Sequence, residues 1–327
     1  MKPRLGFLGT GWIGRHRMAA MLATGAVEAA AICDPAPACA DEAAALAPQA
    51  ARLPSLKAML ALDLDGIVIA TPSADHADQA VQALDRGMAV FCQKPLGRSA
   101  AETRTVVDAA RKADRLLGVD LSYRHSRGMQ RIAELTRSGA LGKVFAIDLV
   151  FHNAYGPDKP WFYDRAQSGG GCLIDLGVHL VDLALWTLDF PAVSNVSAAL
   201  FASGAPLRAD GVEDYASARF LLGGTVDVRL ACSWRLNAGR DAVIEASFYG
   251  TGGGASLRNV GGSFYDLRAE RFAGTAAETI AEPPEDWGGR AAADWAIRLA
   301  HDQAFDASAE HFVPVAVAID AIYATAG

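Results

Sequence analysis

Positive charge is in short supply: 30 Lys and Arg stand against 37 Asp and Glu, a formal net charge of −7, with no basic tail or stripe. A nucleic-acid partner needs a positive footprint, so none is expected. Cysteines number five, Cys33, Cys39, Cys92, Cys172 and Cys232, and no C-x-x-C pair occurs. An odd count without that spacing excludes a disulfide framework and makes free thiols in a reducing compartment, the cytoplasm, the simplest expectation. No apolar run reaches the roughly 18 residues of a spanning helix, so no membrane partner is expected. Met1–Gly9 lacks the apolar core of a signal peptide. H-E-x-x-H and G-x-S-x-G are both absent. With them go the commonest local signatures of zinc peptidases and α/β-hydrolases.

Apolar residues, by contrast, make up 51% of the 327 positions and charged residues 20%. Such a chain can bury a large core, and its length favours two domains. In the first third, short apolar runs (Leu5–Leu8, Ala29–Cys33, Gly66–Ala70, Ala89–Cys92) alternate with helical stretches (Gly14–Ala23, Ala38–Leu46, Ala77–Arg86, Ala100–Ala113). Strands apolar on both faces between helices predict an α/β domain with a doubly wound parallel sheet. Beyond Tyr123 the pattern changes. A helix at Met129–Ser138, a strand at Val144–His152 and a long helix at Cys172–Leu188 precede β-runs at Val193–Ala202, Asp214–Leu222, Thr225–Trp234 and Ala242–Tyr249. These predict an α+β domain with a large, mostly antiparallel open sheet. The expected domains are 1–121 and 122–327. The closing helix, about 308–325, is a candidate to pack back on the first domain, with Val313, Val317 and Ile322 on its buried side.

Gly9-Thr10-Gly11-Trp12-Ile13-Gly14 lies between the first expected strand and helix. The spacing suits a tight turn, a close backbone approach to a pyrophosphate and close helix–strand packing. Alone it is also compatible with an ordinary glycine turn. Asp34, ending the second strand 20 residues past Gly14, is where a ribose-binding acid belongs. A carboxylate there repels a 2′-phosphate, and no Lys or Arg occurs from Pro35 to Ala51. NAD is therefore expected over NADP, unless Arg15 or Arg17 reaches across.

Two further clusters carry chemistry. Lys94, in Cys92-Gln93-Lys94-Pro95, follows a parallel strand, at the end where doubly wound sheets bind ligands; the bland alternative is a solvated loop lysine. The second cluster is the run Gly169-Gly170-Gly171-Cys172-Leu173-Ile174-Asp175-Leu176-Gly177-Val178-His179. Asp175, His179 and Asp182 recur at i, i+4 and i+7 and share one face of an α-helix. That face is either a solvated polar stripe or a buried working pair. Asp175 and His179 would be two metal ligands without a third, so no metal is expected. Trp161, Phe162, Tyr163 and Arg165 suit a sugar-like ligand, or an aromatic core loop equally well.

Taken together, these residues resemble the Gfo/Idh/MocA family (glucose–fructose oxidoreductase, inositol dehydrogenase and relatives). The likeness rests on Gly9–Gly14, on Ala70-Thr71-Pro72 with His76, on Lys94-Pro95, and on the run from Gly169 to His179 with Asp182 and Trp186. It implies a Rossmann domain followed by a sheet domain, one sheet face forming a homodimer or homotetramer interface. It implies Lys94, Asp175 and His179 as the catalytic trio, and Thr71, Pro72 and His76 near the nicotinamide ribose. The cofactor set is then Gly9, Gly11, Trp12, Ile13, Gly14, Asp34, Thr71, Pro72, His76, Lys94 and Pro95, with a cis peptide before Pro95. Gln93 departs from the family's usual Glu, and Phe162 from a common Arg.

The activity so implied is NAD-dependent hydride transfer to or from a secondary hydroxyl or carbonyl of a sugar, sugar derivative or cyclitol. His179 is the expected base, since an imidazole titrates near neutrality, and Lys94 the group that stabilises the alkoxide. Tyr123, Arg124, His152, Trp161, Tyr163, Arg165, Arg235 and Asn237 are candidates for the substrate wall. The alternatives are an NAD(P)H-dependent keto-sugar or dihydrodiol-type reductase, and a non-catalytic dinucleotide-binding regulator on the same scaffold.

Overall fold

A computed structural model describes residues 1–326. It divides into two units, each assembled from two chain segments: Met1–Asp120 with Gly289–Val313, and Leu121–Gly288 with the segment from Pro314.

The first unit holds β1 (Arg4–Leu8), β2 (Glu28–Cys33), β3 (Ala51–Arg52), β4 (Gly66–Ile69), β5 (Ala89–Cys92) and β6 (Leu117–Val119). They form one sheet in the order β3-β2-β1-β4-β5-β6, with every pairing parallel. This is the order of a dinucleotide-binding sheet, and the order in which strands are added reverses between β1 and β4. The inner strands β4 and β5 and most of β1 are apolar and buried because both faces are covered. Leu5, Phe7 and Phe91 pack with Met18, Met21 and Trp295, while a Cβ on Gly6 would strike Met59. Helix boundaries follow local chemistry. Ser99, the N-cap, accepts the Glu102 N–H at 3.2 Å, and Glu102 reaches back to accept the Arg98 N–H at 2.7 Å, which together start the helix Ala100–Ala113.

The second unit carries β7 (Val144–Asn153), β8 (Val193–Ala202), β9 (Ala205–Pro206), β10 (Tyr215–Leu222), β11 (Val226–Ser233), β12 (Ala242–Gly250), β13 (Gly254–Asn259), β14 (Leu267–Ala273) and β15 (Ala276–Ala281). Their order is β15-β14-β13-β12-β7-β11-β10-β8-β9. Only β7 and β11 run parallel. Burial alternates along the central strands: Ala216, Ala218, Phe220 and Leu222 of β10, and Val226, Val228, Leu230 and Cys232 of β11, point into the core. The other face is polar, with Arg219 paired to Asp227 at 2.7 Å and Arg229 to Asp148 at 2.7 Å. A helical stretch, Arg165–Thr187, is long and apolar enough to cross a membrane, which the sequence reading had excluded for any segment. Most of it is buried in the core of this unit, and that burial accounts for its apolarity.

The segment that returns to the first unit is Gly289–Val313, not the closing helix. Its helix Arg290–His301 buries Ala291, Ala292, Trp295, Ala296 and Leu299. The closing helix, Phe312–Thr325, instead sends Val315, Ala318, Ile319 and Ile322 into the core of the second unit. Val317, expected inside, is exposed.

Candidate active site

In the first unit, the carboxyl ends of β1, β4 and β5 bring together the glycine motif, Thr71-Pro72 and Lys94-Pro95. Gly9 has φ +81°, and a Cβ on Gly14 would lie 2.2 Å from the Gly9 carbonyl oxygen. Helix and loop therefore meet backbone to backbone, which only glycine permits. A Cβ on Gly11 would meet nothing within 4 Å. The helix Trp12–Ala23 begins there without a side-chain cap or an acidic residue in its first turn. Its free N–H groups suit a pyrophosphate. Trp12 is exposed and Ile13 half-buried.

Asp34 is held by its neighbours. Its Oδ2 accepts the Thr10 N–H at 2.6 Å and its Oδ1 the Ala36 N–H at 2.8 Å. Arg15 pairs with Glu42, and Arg17 donates to Asp120 at 2.6 Å, both ends of that second pair being buried. Each arginine that could have bound a 2′-phosphate thus has a carboxylate already. The residues present fit NAD.

The Lys94–Pro95 peptide is cis. Lys94 is half-buried, and Gln93 beside it donates to Asp120 Oδ2. His76, 1% exposed, sits between two carbonyl oxygens, Pro95 O at 2.7 Å from Nδ1 and Thr71 O at 2.8 Å from Nε2. It ties the Thr71 loop to the Lys94 loop. Burial pushes its pKa down against the pull of those carbonyls.

In the second unit, Asp175 and His179 lie on one helical stretch, but not on a uniform α-helix. Leu173–Gly177 is a π-turn and Val178–Thr187 is α-helical. The simple i, i+4, i+7 face therefore does not apply, and π-turns of this kind recur at functional sites. Asp175 accepts the Trp234 indole N–H at 3.0 Å. His179 is 8% exposed, its Nδ1 fully buried and its ring 5.0 Å from that of Tyr123. Asp182 turns to Arg124, whose Nε donates to it at 2.7 Å. Tyr123, 7% exposed, packs against Phe151 and Trp287 as well as His179, and burial pushes its hydroxyl pKa upward.

Among the remaining wall candidates, Trp161 stacks on Phe162 at 3.8 Å and Tyr163 meets Trp234 edge-on at 5.6 Å. Arg235 lies over the Tyr163 ring, and the Tyr163 hydroxyl donates to Pro157 O at 2.9 Å. Arg165 reaches the carbonyls of Ala209 and Gly211. His152 contacts Ser233 Oγ at 2.8 Å, and Asn237 is exposed.

Residues 4–121 match the family model described as an oxidoreductase family with an NAD-binding Rossmann fold, and residues 129–256 match the GFO/IDH/MocA C-terminal domain. The chain belongs to the GFO/IDH/MocA family. Among curated relatives, D-glucoside 3-dehydrogenase of Escherichia coli (strain K12) is 30% identical over 213 residues, covering 61% of this chain and 60% of that protein. Inositol 2-dehydrogenase 3 of Saccharopolyspora erythraea is 31% identical over 200 residues, covering 59% and 56%. The matched stretch is thus under two thirds of either relative. In fold, the chain resembles levoglucosan dehydrogenase in complex with NADH and levoglucosan, with a TM-score of 0.86 and 20% identity over 100% of this chain and 97% of that one.

Sequence reasoning missed three sets of contacts around the candidate residues. Trp234 holds Asp175, the Arg17–Asp120 pair holds Gln93, and Glu213 anchors the glycine run. Each is distant in the chain from the residue it serves, so no local spacing marks it. The pairing with Asp120 also explains Gln93. A glutamate there would set two carboxylates against one another in a buried site, whereas the amide donates.

Proposed function

We propose that the protein is an NAD-dependent oxidoreductase that moves a hydride between the nicotinamide and a secondary hydroxyl or carbonyl of a sugar, sugar derivative or cyclitol. Bound NAD supplies the hydride acceptor. His179 takes the hydroxyl proton; with Nδ1 buried, Nε2 is the nitrogen left for it. Lys94 offers a positive charge to the developing alkoxide. Asp175, steadied by Trp234, binds a substrate hydroxyl or sets the charge of His179. Thr71, Pro72 and His76 shape the cofactor loop, and Trp161 and Tyr163 present aromatic faces to the sugar. The reading further includes a homodimer or homotetramer through the nine-stranded sheet. It includes a cytoplasmic setting too, supported by five free thiols.

The observation that carries this reading is a nearly buried imidazole, His179, on the helix that directly continues the π-turn bearing the tryptophan-held carboxylate of Asp175, within the matched family domain. The test is a panel of sugars and inositols followed by NADH absorbance. Lys94→Ala and His179→Asn should each lower the single-turnover rate by about 10²–10⁴-fold and leave the dissociation constant for NAD nearly unchanged. Wild-type rates in both variants would end the mechanism.

A further inference from the structure

The glycine run before Asp175 is shaped by two side chains outside the cofactor motif. A Cβ on Gly170 would lie 2.0 Å from the Tyr323 hydroxyl, and one on Gly171 would lie 1.9 Å from the Glu213 carbonyl oxygen. Glu213 has 0% exposure. Gly171 N–H donates to both of its carboxylate oxygens at 3.0 Å, while Leu173 N–H at 2.9 Å and the Tyr323 hydroxyl at 2.8 Å donate to Oε1. The Glu213 carbonyl accepts the Cys172 N–H at 3.0 Å. Three successive peptide groups at the start of the helical stretch thus end on one residue. A negative charge at a helix start is favourably placed.

Two more contacts extend this bracket. The Asp175 N–H closes on Gly171 O at 3.1 Å, so the first turn hangs from the anchored peptide. Arg165 lies 5.5 Å over the Tyr323 ring while its Nη1 reaches Ala209 O and Gly211 O, closing the loop that leads to Glu213. Burial pushes the Glu213 pKa up, and the bonds from Leu173, Tyr323 and Gly171 pull it back, burial prevailing.

We propose that Glu213, clamped by Tyr323, is the positioning residue that fixes where the π-turn begins and thereby aims Asp175 and His179. The proposal rests on the reading of those two residues as the working groups. Arg165 belongs to the same bracket and acts through it rather than on substrate. A carboxylate is required because every group facing Glu213 Oε1 and Oε2 is a donor. An amide would turn its NH₂ against one of them.

The test compares Glu213→Gln and Tyr323→Phe with wild type. Misaiming by an ångström can cost about 10²-fold, so Glu213→Gln should lower kcat by about ten- to a hundred-fold with the KM for NAD unchanged. Tyr323→Phe, which keeps the ring over Arg165, should lower it severalfold. A second readout needs no substrate: the titration midpoint of the His179 ring by ¹H–¹⁵N NMR, with the signal assigned through His179→Asn. It should shift in both variants. Unchanged kcat and an unchanged midpoint would overturn the proposal. If no polyol is turned over even by wild type, the functional reading fails, yet the midpoint still decides the positioning role. Should Glu213→Gln not fold, Tyr323→Phe alone decides it in the same way.

Discussion

Asp34, half-buried just past the end of β2, holds two backbone N–H groups with its carboxylate. Its charge opposes a 2′-phosphate, and Arg15 and Arg17 are occupied by Glu42 and Asp120. The expected outcome is kcat/KM higher with NAD than with NADP, and a ratio that narrows at least about tenfold (roughly 1.4 kcal/mol) in Asp34→Ser. A wild-type preference for NADP would contradict it. The glycine turn at Gly9, Gly11 and Gly14, the strand end at Asp34 and the cis peptide at Lys94–Pro95 were legible because each lies in a short stretch of sequence. Trp234, Asp120 and Glu213 were not legible. Their partners lie 59, 103 and 42 positions away, and nothing in a single sequence announces such pairs.

At the scale of elements, Gly14 offers the sharpest test. A methyl group there meets the Gly9 carbonyl, part of the rigid backbone, so the helix Trp12–Ala23 must shift. Gly14→Ala should cost about 1–3 kcal/mol or more, as overpacking does, read from urea denaturation, and weaken NAD binding in a fluorescence titration. Wild-type stability with wild-type NAD affinity would refute it. In the first unit, β1, β2, β4 and β5 were readable from periodicity, and Ala100–Ala113 matched to the residue, whereas β3, β6 and the helix Arg290–His301 were not. The π-turn was not readable, because an inserted residue changes the angular spacing without changing composition. That is why Asp182 parts from Asp175 and pairs with Arg124. The strands β13 to β15 were missed as well. β15, Ala276–Ala281, is an edge strand exposed over most of its length, and only its pairing with β14 makes it extended.

For the whole molecule, the sensitive variable is acidity. Burial lowers the pKa of both His76 and His152 from the usual imidazole value, near about 6.5. A folded-state pKa below the unfolded one gives stability that is complete above the unfolded value. It is lost as the pH falls from the unfolded value through the folded ones, because in that interval the unfolded chain takes up the proton more readily than the folded one. Tm should therefore decline between about pH 7 and pH 5, and the slope should be shallower in His76→Gln. A Tm independent of pH across that window would contradict the prediction.

Trp295 packs over β4 to β6: its ring lies 5.7 Å from that of Phe91, and a Cβ on Gly118 or Gly66 would come within 2.6 or 3.0 Å of it. During synthesis the ribosome therefore releases the nucleotide-binding half with a bare patch where that indole belongs. The patch stays bare until some 170 further residues have emerged. The nascent Rossmann sheet must wait, guarded or partly open, for its last helix, and a fragment ended at Asp120 would carry the same wound permanently.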